Sequence, residues 1–178
     1  MTGFQDLRRY GLWELTSAYG PVWEPQVGSD WAPYTKGRWV DVAPWGKTWI
    51  DDAVWGFTPF HYGRWVRVND RWGWVPGETT VAPVYAPALV SFFGTPRGHD
   101  RPAGWVPLGP DEPYLPPYPA SFAYFQDMNR AALPAVVNIT NVVNITQVTN
   151  VVQIIERRPV IILGRLVNRG TAGGGMVS

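Results

Sequence analysis

Gly11, Gly37 and Gly63 stand 26 residues apart, and each is followed two positions later by a tryptophan: Trp13, Trp39 and Trp65. An aromatic-glycine pair comes next in every unit (Tyr19-Gly20, Trp45-Gly46, Trp72-Gly73), and then a closing Trp23, Trp49 or Trp74. The second and third units also share the pattern P-[YF]-x-x-G-R-W-V-x-V, at 33–42 and 59–68. Units in register at this period are structural repeats, and 26 residues hold two short strands and a turn. "GRWVDV" and "GRWVRV" carry the β-branched and aromatic residues of strands, with "APWG" and "NDRWG" as turn signals. The repeat therefore predicts tandem Trp-rich β-hairpins over residues 4–77.

Alternation assigns the faces. In a strand Trp39 and Asp41 share one side and Val40 and Val42 the other, as do Trp65 and Arg67 against Val66 and Val68. The charges point to a Val-lined core side and a partly wet Trp side. The rings then have two uses: stacking one hairpin on the next, or forming an exposed platform for pyranose rings. A platform would use Trp13, Trp39 and Trp65, with Arg38 and Arg64 as polar supports. Eleven Trp, 18 Pro and 19 Gly in 178 residues argue for turns, strands and rings over long helices.

The segments "YGLW", "YGPVWEP", "WAPYTKGRWV", "WGFTPFHYGRWV", "RWGWVPG" and "GWVPLGP" resemble bacterial proteins built on a Tyr-x-Trp-Gly-x-Trp type repeat, a secreted domain of unknown function. The resemblance spans roughly residues 4–119, and the Asn-Ile-Thr tract further on is similar to that family's C-terminal portion. It implies an extracellular or cell-envelope setting and brings no catalytic residues. The chain departs from the pattern in "DVAPWGKTWIDDAVWG", where aromatic residues are commoner in the family, and in its short Gly-rich tail. It also shows no secretory leader after Met1, as expected of a cytoplasmic chain, a processed one, or one given an added Met.

Prolines crowd residues 78–120, as in "VPGETTVAPVYAP" and "LGPDEPYLPPYP", and they exclude central strands and helix interiors. Val84, Tyr85, Phe92, Phe93, Trp105 and Tyr118 give this stretch surface to pack, so it reads as an ordered polyproline-like arm lying on the repeats. "ALVSFF" at 88–93 is a candidate short strand. One short helix is expected over 121–133, with Ser121 as its cap, Phe122, Phe125 and Met128 or Asn129 along one face, and Pro134 beyond its end.

Residues 138–155 form six triplets, NIT-NVV-NIT-QVT-NVV-QII. On a helix a three-residue period carries the apolar position round the whole cylinder, and Asn, Val, Thr and Ile are middling helix formers. On a strand the period places amides and apolar side chains on both faces. Asn138, Val142, Asn144, Val148, Asn150 and Ile154 fall on one face, and Ile139, Asn141, Ile145, Gln147, Val151 and Gln153 on the other. A strand of this kind needs cover on both sides, and identical segments of neighbouring chains supply it as amide ladders and apolar rows. Extended, the tract measures about 60 Å at ~3.3 Å per residue; folded in three sides, it makes about one coil of a β-solenoid. The β assembly segment is placed at 136–167, followed by a flexible tail at 168–178.

Little suggests catalysis. Cysteine is absent, which removes disulfides, thiolate zinc and thiol nucleophiles. His61 and His99 lie in different segments without metal-binding spacing. Asp51-Asp52 reads as a turn, although either could serve as the acid of a glycosidase, and Asp111-Glu112 offers too few ligands for a cation. A net charge of +1 gives no reason to expect nucleic acid, and no stretch reaches the ~20 apolar residues of a membrane span. The expectation is a mainly β, non-enzymatic structural protein without cofactor or metal. Its partner is itself, as a trimer or fibre joined through the C-terminal tract. The alternative is a carbohydrate-binding module whose partner is a polysaccharide.

Overall fold

The repeats fold as three antiparallel hairpins: β1 (Gly11–Thr16) with β2 (Gly20–Pro25), β3 (Gly37–Val42) with β4 (Gly46–Asp51), and β5 (Arg64–Val68) with β6 (Arg71–Val75). This is seen in a computed structural model that describes residues 3–77, 82–93, 104–130 and the backbone of 175–176. The paired tryptophans of each unit lie directly across from one another: Trp13 from Trp23, Trp39 from Trp49, Trp65 from Trp74.

The 26-residue glycine is set by that closing tryptophan. A Cβ at Gly11 would fall 2.7 Å from Trp23 Cε2, one at Gly37 would fall 2.6 Å from Trp49 Cζ2, and one at Gly63 would fall 2.7 Å from Trp74 Nε1. In each hairpin the indole folds diagonally across the first strand and occupies the space a side chain would need. Real Cβ contacts are not that short, so the repeat is a packing rule written in sequence.

The third hairpin differs from the expectation at its turn. Hairpins one and two close through three residues and a glycine at positive φ, Gly20 (68°) or Gly46 (72°). The third turns on Asn69-Asp70 alone, at φ 49° and 62°, and is one residue tighter. "RWG" of "NDRWG" is thus strand, not turn. Gly73 sits opposite Val66, where a Cβ would run into Val22 of the neighbouring hairpin.

The hairpins assemble as a four-stranded sheet in the order β1-β2-β6-β5 and a separate β3-β4 ribbon. In the larger sheet Trp23 lies across from Trp74, so one tryptophan from each strand forms a row: Trp13, Trp23, Trp74, Trp65. The row faces the core. Trp23, Trp65 and Trp74 are wholly buried among Leu7, Tyr34, Trp49, Phe60, Trp72 and Trp105, with Trp31, Trp39 and Trp55 packed against them. The wet Trp side expected from the flanking charges is therefore corrected. Indoles bury far more apolar area than valines, and the charges on their side lie towards the turn ends. There Asp41 meets Lys47 Nζ at 2.6 Å, and the Arg67 guanidinium rides 6.0 Å above the Trp72 ring.

The proline-rich stretch lies on the repeats and supplies backbone partners. Trp49 N donates to Pro87 O (3.0 Å), Ala86 N to His61 O (3.1 Å) and Trp65 N to Leu108 O (2.9 Å). Within the stretch, β7 (Val90–Phe93) pairs with β8 (Gly104–Pro107), and β9 (Gly175–Met176) extends that small sheet. Two helical turns were not anticipated: a 3-10 helix at Phe4–Arg9 and α1 at Phe57–His61. Pro59 is tolerated because it falls in the first turn of α1, where no intrahelical N–H bond is lost. The expected helix is α2 (Phe122–Met128), with Ser121 Oγ accepting from Tyr124 N at 3.1 Å. It stops at Met128 because Asn129 turns inward to bond Tyr114; residues 131–133 lie outside the described set.

Candidate functional site

The five residues of the proposed sugar platform do not share a surface. Trp65 is wholly buried, and its Nε1 donates to Pro59 O at 3.1 Å, so no ring face is open to a pyranose. Trp39 is half-buried between Trp49, Phe92 and Trp105, with centroids 5.2–5.4 Å away. Its Nε1 is buried and meets no acceptor among the described residues. Trp13 is exposed on β1, against Phe4 and Trp74, while Arg38 is exposed on β3 in the other sheet.

Arg64 is a clamp, not a sugar support. Its Nη2 donates to Met128 O (3.0 Å) and Asn129 Oδ1 (3.4 Å), its Nη1 to Gly63 O (3.0 Å) and its Nε to Glu112 O (3.4 Å). One guanidinium thus ties β5 to the proline-rich stretch and to the end of α2. Burial lowers its pKa to about 10, against the pull of surrounding tyrosines and Glu112. Asn129 completes the joint: Oδ1 accepts from Tyr114 N at 2.5 Å, and Nδ2 donates to Tyr114 O and Phe125 O. Sequence reading singled out neither Asn129 nor the buried carboxyl of Glu112 for this task. The only signal was a pair of polar residues inside otherwise apolar, proline-rich surroundings.

Glu112 Oε2 accepts from Gly109 N at 2.8 Å, and burial raises the carboxyl to about 7 against the lowering effects of that bond and of Arg64. Beside this joint runs a hydroxyl chain, Tyr114 to Tyr118 (3.3 Å) and Tyr118 to Tyr124 (2.7 Å), ending where Tyr124 Oη donates to Tyr85 O (2.8 Å). Burial raises all three phenols, so they remain neutral donors and bind rather than carry charge. A cavity of about 220 Å³ opens between this stretch and the β3-β4 ribbon, lined by Lys47, Pro87, Phe92, Tyr114, Pro116 and Pro117 among others. Lys47 is already paired with Asp41 there.

The carboxylates considered for acid catalysis are structural. Asp51 Oδ1 accepts from Ala53 N (2.9 Å) and Oδ2 from Trp49 Nε1 (3.0 Å), which closes the turn after β4; burial raises its pKa. Asp52 is exposed and spends its N–H on Lys36 O. His61 is buried between the Phe57 and Tyr85 rings, and its Nδ1 bonds Ala86 O at 2.8 Å, so that nitrogen carries the hydrogen. Burial lowers its pKa and keeps it neutral. Asp111 is exposed while Glu112 is buried, so the two do not converge. His99 lies outside the described residues, as does the whole assembly tract from Asn138 to Ile155. Among the described residues no group of three His, Asp or Glu could hold a metal, and no helix is long and apolar enough to cross a membrane.

No curated protein and no solved structure matches the chain. The sequence model of one family matches residues 4–112, which takes in the three hairpins and most of the proline-rich stretch packed on them. The chain belongs to that family, DUF6600, a family of unknown function.

Proposed function

We propose that this is a non-enzymatic structural protein: a rigid Trp-cored head carrying a β tract through which copies join into a trimer or fibre. Its setting would be a bacterial surface or extracellular assembly, as the resemblance to Tyr-x-Trp-Gly-x-Trp repeat proteins implies. The observation that supports this reading is where the tryptophans are used. Trp23, Trp49, Trp65, Trp72, Trp74 and Trp105 are buried in the head's own core, so the repeat gives rigidity and leaves few rings for a ligand. The triplet tract, with apolar side chains and amides on both faces, is then the part of the chain suited to joining copies.

The test is the solution mass of the full chain by light scattering, beside a chain ending at Pro134. A trimer or larger species that falls to monomer on truncation is expected. Monomers in both cases would sink the proposal. The carbohydrate-binding reading would then rest on Trp13, the one exposed ring of the three, and a polysaccharide titration followed by Trp fluorescence would decide it.

A further inference from the structure

β1 is an open edge of the four-stranded sheet, and it lacks the usual protection. Natural edges are blunted by charge, proline or a covering segment. β1 carries one charge, Glu14, and no proline, and among the described residues no strand pairs with its outer side. Leu12 is 76% exposed, Leu15 81%, Trp13 37%, and Tyr19 in the following turn 40%. Leu12 lies on one face, and Trp13 and Leu15 on the other, so the edge is apolar on both sides of the sheet.

The prolines of β2 establish which backbone groups point outward. Gly11 lies across from Pro25 and Leu15 from Pro21, and proline has no N–H to exchange. Those pairs, with Trp13–Trp23 between them, are the non-hydrogen-bonded ones, and the ladder to β2 runs through Leu12, Glu14 and Thr16. The next rung agrees, since Gln26 N donates to Tyr10 O at 2.8 Å. The N–H and C=O of Gly11, Trp13 and Leu15 therefore face away from β2. Arg71 and Glu24 pair on the adjacent strands, not on this edge.

We infer that β1 is the docking edge for the triplet tract, residues 138–155, of a second copy of the chain, added as an antiparallel or parallel fifth strand. This rests on the assembly reading above and names its receiving surface. Strand addition takes its affinity from main-chain bonds and its specificity from the side chains on each face. An edge apolar on both faces needs a strand apolar on both faces. The amphipathic strands of the repeats alternate, whereas the three-residue period of the tract puts Val or Ile on each side in turn. The tract is also long enough: β1 is six residues, one third of the eighteen, which leaves the remainder for further copies.

The experiment compares the solution mass of three full chains: the native sequence, Leu12→Lys with Leu15→Lys, and Leu15→Pro. Both leucines are exposed, so lysine there does not disturb the core, and proline at 15 removes only an outward N–H. Near-UV circular dichroism verifies that each variant keeps its packed Trp core; should one lose it, the other carries the test. The native chain is expected to be oligomeric, and both variants to fall to the 19.9 kDa of one chain. Variants that keep the native oligomer would overturn this docking edge while leaving assembly through the tract intact. A native chain that is already monomeric would overturn both.

Discussion

Gly37→Ala isolates the packing rule behind the repeat. Gly37 has no positive φ, so the substitution carries no left-handed strain, and its whole cost is space. The new Cβ would sit 2.6 Å from Trp49 Cζ2. The indole cannot retreat cheaply: it is buried, its Nε1 is held by Asp51 Oδ2 at 3.0 Å, and the Trp39 and Tyr34 rings lie 5.2 and 5.7 Å away. Overpacking of this kind costs about 1–3 kcal/mol, and an immobile ring puts it in the upper half. Alanine recovers about 0.5–1 kcal/mol over glycine in the unfolded chain, so a net loss of about 2 kcal/mol is expected.

Gly46→Ala is the control, because its φ is 72° but nothing lies within 4 Å of the new Cβ; it should cost only the left-handed penalty of about 1–2 kcal/mol, less the same recovery. Gly63→Ala combines a φ of 68° with the Trp74 clash and should cost the most, about 3–4 kcal/mol. Urea unfolding followed by Trp fluorescence gives all three from midpoint shifts at constant slope. A Gly37→Ala protein within about 0.5 kcal/mol of the parent would refute the packing account, as would one more stable than Gly46→Ala.

Arg64→Met should cost about 2–4 kcal/mol, since it leaves buried carbonyls of Glu112 and Met128 without their donor; hydrogen exchange should speed first at Tyr114 and α2, and uniform exchange across the chain would contradict the clamp. Burial raises Glu112 to about 7 from an ordinary 4.5, with Arg64 opposing and Asp111 reinforcing the shift. The folded state then holds the proton more tightly, so this contribution is complete below pH 4.5 and is lost as pH rises through about 7; Glu112→Gln should remove that slope in a stability–pH series, and an unchanged slope would exclude Glu112 as its source. His61 acts in the opposite sense. Its pKa is lowered from 6.5 by burial, so stability present above pH 6.5 declines as pH falls below it, and His61→Gln should abolish that acid-side decline.

The hairpins were legible because their determinants are local. The glycine and its closing tryptophan lie 12 residues apart in units one and two, and turn residues and β-branched runs mark the strands between them. The core face was misread for a physical reason. Alternation tells which residues share a side, but not that Asp41 and Arg67 escape to solvent near the turn while Trp39 and Trp65 go inward. The Arg64 joint was illegible because its partners, Glu112, Met128 and Asn129, lie 48 to 65 positions away and meet only after the proline-rich stretch has folded across β5. α1 was missed because five residues with a proline give no helical period, and its ends are fixed by tertiary contacts, with Phe60 against Tyr34 at 4.8 Å.

Three copies of one device do not end in three equal environments, and the inequality separates the units by role. In unit two, Trp49 N on β4 is satisfied by Pro87 O, and in unit three Trp65 N on β5 is satisfied by Leu108 O. Both acceptors come from the proline-rich stretch, which therefore covers edges as well as filling the core. Unit one receives no such partner from the described residues, although its glycine and tryptophan are packed like those of the others. A sequence under selection for the packing of the head alone has no use for leucine at positions 12 and 15, where polar residues would be as stable and more soluble. The repeat explains Gly11, Trp13 and Trp23; it does not explain the two leucines. Their exposure on a bare edge is what a partner strand would account for.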